Sequence, residues 1–130
     1  YLKRKDISCD LIDLRSISPL DWELIFKSVR KTGRILVLDS GVRSGSVAGE
    51  IIAEIVSKLF HLLKEPPIRI AMPDVPEPTS YGLTKGFYIR AKDIARECLS
   101  LMHESDKDLE KNLPEYSPHD IPGNWFKGPF

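Results

Sequence analysis

Only two cysteines, Cys9 and Cys98, occur in the 130 residues, too few for a disulfide framework or a zinc set. They read as two reduced thiols in or near the core. Neither sign of charge is in excess: Lys and Arg total 19, as do Asp and Glu. A nucleic-acid or acidic-membrane surface needs a basic surplus, so the balance supports neither class. Long apolar runs are missing too. The most apolar segment, Ile51 to Leu63, is interrupted by Glu54, Lys58 and His61 and cannot span a bilayer. The start, Tyr1-Leu2-Lys3-Arg4-Lys5-Asp6, carries charge with no apolar stretch behind it, so no secretion signal is visible. A cytoplasmic location is expected, or the mitochondrial matrix for a eukaryotic protein.

Catalytic signatures are equally sparse. There is no Gly-x-Ser-x-Gly elbow for a nucleophilic serine, and no histidine is evidently placed to activate either cysteine. His61, His103 and His119 stand far apart, without a second histidine or a cysteine at metal-ligand spacing. The glycines from Gly41 to Gly49 precede a helix pattern, where exposed N–H groups can hold an anion. No Lys-Ser or Lys-Thr follows, and the G-x-G-x-x-G spacing is absent, so a tight turn with close helix–strand packing explains them more simply.

What is present is an alternation of strand and helix patterns. With 42% apolar residues the chain can fill one ordinary core. Ile7 to Leu14 reads as a strand. Ser18, Pro19 and Asp21 are suited to open a helix carried by Leu20, Leu24, Ile25 and Val29, and Gly33 is a natural stop. Ile35 to Leu38 is an uninterrupted apolar run, as expected for a strand covered on both faces. A wide stripe of Ile51, Ile52, Ile55, Val56, Leu59, Phe60 and Leu63 follows, then Pro66-Pro67, a third strand at Ile68 to Met72, and a last helix from about Ala91 to Met102. This order predicts an α/β fold, a three-layer α/β/α arrangement around a mostly parallel sheet. Three strands make a thin sheet, and the chain starts at Tyr1, in what reads as the last turn of a helix. A strand ahead of Tyr1, in a longer protein, is therefore expected. Residues 1–104 form the expected domain, and 105–130, rich in charge, then in proline, glycine and aromatics, an extended tail.

Ligands of open parallel sheets gather at the carboxyl ends of the strands. Acidic residues lie there: Asp13 with Arg15, then Asp39, then Asp74. Three converging carboxylates would hold a divalent metal for a small Mg-dependent enzyme. Alternatively each accepts hydrogen bonds from a neighbouring loop or helix start, or pairs with Arg15 or Arg43. Trp125, Phe126 and Phe130 are candidates for a partner interface, which would suit a stand-alone protein-interaction module.

Four runs together resemble the C-terminal domain of the transketolase family, with the nearest likeness to the beta subunit of the decarboxylating component of 2-oxo acid dehydrogenase complexes. They are Ile12-Asp13-Leu14-Arg15-Ser16-Ile17-Ser18-Pro19-Leu20-Asp21, Val29-Arg30-Lys31-Thr32-Gly33-Arg34, Gly41 to Ile51, and Pro73-Asp74-Val75-Pro76-Glu77-Pro78. Two departures stand out: Val42 replaces an aromatic that often follows the glycine, and the chain runs on past the last helix to Phe130. The resemblance implies a parent enzyme that uses thiamine diphosphate and Mg²⁺, both held by other domains. It implies a subunit-pairing and docking role for this domain, and no catalytic, cofactor-binding or metal-binding residue is carried onto it. The implied partners are other domains or subunits of the parent enzyme in a homo- or hetero-oligomer, and in the dehydrogenase complexes an acyltransferase core.

Overall fold

The computed structural model describes residues 1–114, 118, 119, 121 and 127. Its elements run α1 (Trp22–Thr32), β1 (Leu36–Val42), α2 (Val47–Leu59), β2 (Ile68–Met72), α3 (Tyr81–Thr84), α4 (Ala91–Leu101) and α5 (Leu109–Asn112), with 3₁₀ turns at Leu2–Lys5 and Phe60–Leu62. β1 and β2 pair in parallel, Leu36 opposite Ile68 and Leu38 opposite Ile70, with α2 as the crossover between them. The α/β class and the parallel sheet agree with the sequence pattern.

Strand alternation divides the sheet into two faces. Ile35 and Val37 pack against Ile25 and Val29 of α1 and Ile51, Ile55 and Leu59 of α2, the first core cluster. Leu36 and Leu38 therefore lie on the opposite face, with Ile68 and Ile70 beside them. A second cluster joins Ile7 to Ala95 and Leu99 of α4 and Leu109 of α5. Leu109 lies beyond the boundary expected at residue 104, yet it is 1% exposed.

α1 ends as the sequence suggests. Gly33 has φ +69°, a left-handed conformation that costs glycine little, and its N–H donates to the Val29 carbonyl. Its start is different: the helix begins at Trp22, not near Ser18. The Asp21 carboxylate accepts from the Leu24 N–H at 3.0 Å and so takes the capping place assigned to Ser18.

Three further expectations are corrected. Ile7 to Leu14 is not a strand: among the described residues the sheet has two strands, and this segment pairs with neither. Side chains hold it instead. Ile7 is buried against α4, Leu14 packs on the first cluster, and Asp10 accepts from Ser28 Oγ at 3.0 Å and Lys31 Nζ at 2.7 Å on α1. With the segment tied along α1, its alternate residue Leu11 is left 97% exposed. The stripe on α2 is also narrower than expected, because the α-helix stops at Leu59 and Phe60, in the following turn, faces solvent. Finally, Cys9 is exposed rather than near the core, and Cys98 is half-buried.

Candidate functional site

The carboxyl ends of β1 and β2 meet the loop that leads into α2, and two of the predicted aspartates hold that loop. Asp39 accepts from the Gly41 N–H at 2.8 Å and from the Ala48 N–H at 3.3 Å. Ala48 is in the first turn of α2, where N–H groups lack helical partners and the helix dipole favours a negative charge. A strand residue thus caps a helix that its own preceding residue, Ser46, does not cap through its side chain. Asp74 accepts from the Ser44 N–H and hydroxyl, each at 2.7 Å, tying the loop after β2 to the loop after β1.

These bonds hold the Asp74 carboxyl below the usual carboxylate range. The Ser44 backbone N–H has the largest effect, the Ser44 hydroxyl follows, and Arg43 and Arg69 add to it. A group depressed in the fold favours folding fully above its unfolded value, and that contribution is lost as pH falls through the lower folded one. A carbon-detected NMR titration of Asp74 should therefore give a midpoint below about 3.9, the free aspartate value, and Ser44→Ala should move it back up. A midpoint at or above the free value would show that the clasp does not form.

Asp13 and Arg15 form a separate, exposed pair, 3.5 Å between Oδ2 and the guanidinium, within one turn of chain. The structure thus joins Asp39 and Asp74 through one loop and leaves Asp13 out. Among the described residues no group of three His, Cys, Asp or Glu side chains is placed to hold a metal ion. Trp125, Phe126 and Phe130 lie outside the described residues.

Beside this edge a cleft of about 850 Å³ opens between β2 and the segment from Thr84 to Asp93. Ile70, Met72 and Phe87 are among its apolar lining residues, and Arg43 and Arg90 among its charged ones. His119 is brought against α3, its Nε2 2.9 Å from the Tyr81 carbonyl and 3.0 Å from Thr84 Oγ1. Because the carbonyl can only accept, Nε2 carries the proton there. Sequence reasoning missed this cleft. Its one local signal was Asp93, three residues after Arg90, whose carboxylate accepts from the Arg90 N–H at 2.8 Å and fixes the start of α4.

Glycine serves close approach at one point of the site. A Cβ on Gly49 would come within 2.8 Å of the Arg69 guanidinium, which lies across α2 from the neighbouring strand. The approaching atom is the end of a flexible side chain, so this contact falls short of the close helix–strand packing expected of the Gly41–Gly49 stretch.

Comparison with known proteins agrees with this architecture. The family model described as "Transketolase, C-terminal domain" matches residues 1–94. The pyruvate dehydrogenase E1 component subunit beta of Mycoplasma pneumoniae is 42% identical over 88 residues, which is 68% of this chain and 27% of that protein. Its namesake in Mycoplasma genitalium is 42% identical over 90 residues, 69% of this chain and 28% of that protein. In Bacillus subtilis the protein of that name is 38% identical over 79 residues, 61% of this chain and 24% of its own length. The matched stretch spans about a quarter of each relative. With the family model covering well over half of it, this chain belongs to the transketolase C-terminal domain family.

Proposed function

We propose that this chain is the subunit-pairing and docking domain of a thiamine-diphosphate-dependent 2-oxo acid dehydrogenase or transketolase-like enzyme, and that it performs no catalysis alone. One observation carries the reading. On the sheet face away from α1 and α2, Leu38 is 51% exposed in the strand that forms half the sheet. Val42 at the end of β1 is 49% exposed. Strand residues this apolar, left wet beside Ile68 and Ile70, suit a surface that another domain or subunit covers.

The polar residues agree with a non-catalytic role. Asp39 and Asp74 are engaged by loop N–H groups, so the side chains present do not fit a Mg²⁺-pyrophosphate site. Thiamine diphosphate and Mg²⁺ then belong to other domains of the parent enzyme. Its other domains or subunits, and in a dehydrogenase complex an acyltransferase core, are the partners. Residues 1–104 are the docking domain in this reading. Of residues 105–130, Leu109 packs into the domain's own core, and the end with Trp125, Phe126 and Phe130 extends onto a neighbour in this reading.

Two measurements on the purified chain test this. A dye that reports exposed apolar surface should bind, and Leu38→Glu should lower its fluorescence without loss of helical circular dichroism. Calorimetric titration with thiamine diphosphate and Mg²⁺ should give no tight binding. Tight cofactor binding by the chain alone, or a dye-inert wild type, would remove the reading.

A further inference from the structure

The two cysteines, distant in sequence, meet in the fold. Cys9 follows Ile7 by two residues, in the segment that pairs with neither strand. Ile7 is buried against Ala95 and Leu99 of α4. Ala95, Cys98 and Leu99 stand at i, i+3 and i+4, one face of that helix. The contact that seats Ile7 lays this part of the segment on the face of α4 that carries Cys98, and there the Cys9 thiol adds to the effect of burial on the Cys98 thiol. Both sulfurs are free thiols.

We propose that Cys9 and Cys98 form a redox modification site, which a peroxide oxidises to an intramolecular disulfide that staples the extended segment to α4. The exposures assign the roles. Cys9 is exposed and meets the oxidant first. Its thiolate sulfur attacks one peroxide oxygen; the S–O bond forms, the O–O bond breaks, and hydroxide leaves. Cys98 is the resolving thiol: burial pushes its pKa up, with Cys9 adding to the effect, so it is the weaker initial nucleophile. Cys98 gives up its proton and its sulfur attacks the Cys9 sulfenic sulfur. The S–S bond forms, the S–O bond breaks, and water leaves. The two thiols lose two electrons between them, and hydrogen peroxide is reduced to two waters.

The bond would change how the segment is held. Residues 7–14 have no ladder partner among the described residues and rest on Ile7, Leu14 and the Asp10 contacts to α1. A Cys9–Cys98 bond encloses the whole first core cluster, and Ala95 of the second, in one long loop, which restricts the unfolded chain strongly.

The purified chain, fully reduced and then treated with hydrogen peroxide at low excess, supplies the test. Non-reducing digestion and mass spectrometry should find the Cys9 peptide joined to the Cys98 peptide, with two hydrogens lost from the intact mass. The thermal midpoint should rise by several degrees and return on adding dithiothreitol. Cys98→Ser should leave a sulfenic acid on Cys9 that dimedone traps. Four outcomes overturn the proposal: sulfinic acid on Cys9 with Cys98 still reduced, a Cys9–Cys9 bond between two chains, no oxidation of either thiol, or no dimedone adduct in Cys98→Ser.

Discussion

Ile55→Ala is expected to lower the free energy of unfolding by about 3–4 kcal/mol, a large share of what a domain of this size has. Ile55 is 0% exposed, in the middle of α2, with Ile51 and Leu59 a turn to either side and Ile25 and Val29 of α1 in the same cluster. Truncation removes three carbons from a site ringed by other residues, so the lost transfer energy is joined by a cavity term. The better helix propensity of alanine returns only a few tenths of a kcal/mol. Urea unfolding followed by circular dichroism measures the change, with an unchanged denaturant slope showing that the native state is otherwise intact. Ile55→Val, which removes one methyl, should cost about 1 kcal/mol. A cost near zero for the alanine variant would mean that α1 and α2 do not pack on the sheet as described.

Ile55 was among the easier residues to find from sequence, and the reason is periodicity. The strong repeats at Ile25, Val29, Ile51, Ile55 and Leu59 all became core, whereas the unbroken run before Asp39 began β1 with only one face covered: Ile35 and Val37 pack on the core and Leu38 is 51% exposed. Such patterns report burial directly, because each element has to hide one apolar side. Where the pattern was a mixture, the sequence misled. Ile7 to Leu14 has β-rich composition, but a strand exists only when a neighbour accepts and donates its backbone hydrogen bonds. Composition cannot supply that neighbour, whereas the Asp10 contacts to Ser28 and Lys31, which hold the segment elsewhere, depend on positions 18 and 21 residues away.

The site was legible to the same degree. Strand-end aspartates could be picked out from their places after apolar runs, and Asp39 and Asp74 do meet the loop between them. Which of two roles they fill was not legible, since a carboxylate that binds a metal and one that accepts N–H groups have the same spacing in sequence. The deciding feature is three-dimensional: Ser44 and Ala48 present N–H groups to Asp74 and Asp39. Asp108 was missed for a related reason. It accepts from the Tyr1 hydroxyl at 2.8 Å and pairs with Lys5 at 3.0 Å, and these bonds, the Tyr1 one first, depress its pKa. Nothing local to Asp108 announces partners at the far end of the chain.

That junction leads to the second large effect. Leu109→Ala is expected to cost about 2–4 kcal/mol, although the residue belongs to the charged stretch that reads as the beginning of a tail. Leu109 is 1% exposed and packs with Ile7, Ala95 and Leu99, so its removal opens a cavity where the first residues of the chain, α4 and α5 converge. The ion pairs around it cannot replace that contact. Arg96 reaches Asp106 at 3.5 Å and Glu110 at 3.0 Å, but all three side chains are more than a third exposed, and such pairs contribute roughly 0–1 kcal/mol. Arg96→Ala should therefore cost less than half as much as Leu109→Ala. Leu11→Ala, at a residue 97% exposed, should fall within about 0.5 kcal/mol of the wild type. Chemical denaturation of the three variants ranks them. If Leu109→Ala falls with Leu11→Ala, residues after 104 contribute nothing to the core and the contact with Ile7 is not made in solution. If it stands near Ile55→Ala, the second cluster is as integral to the domain as the first, and any version of the chain cut at 104 exposes Ile7 and Leu99 to water.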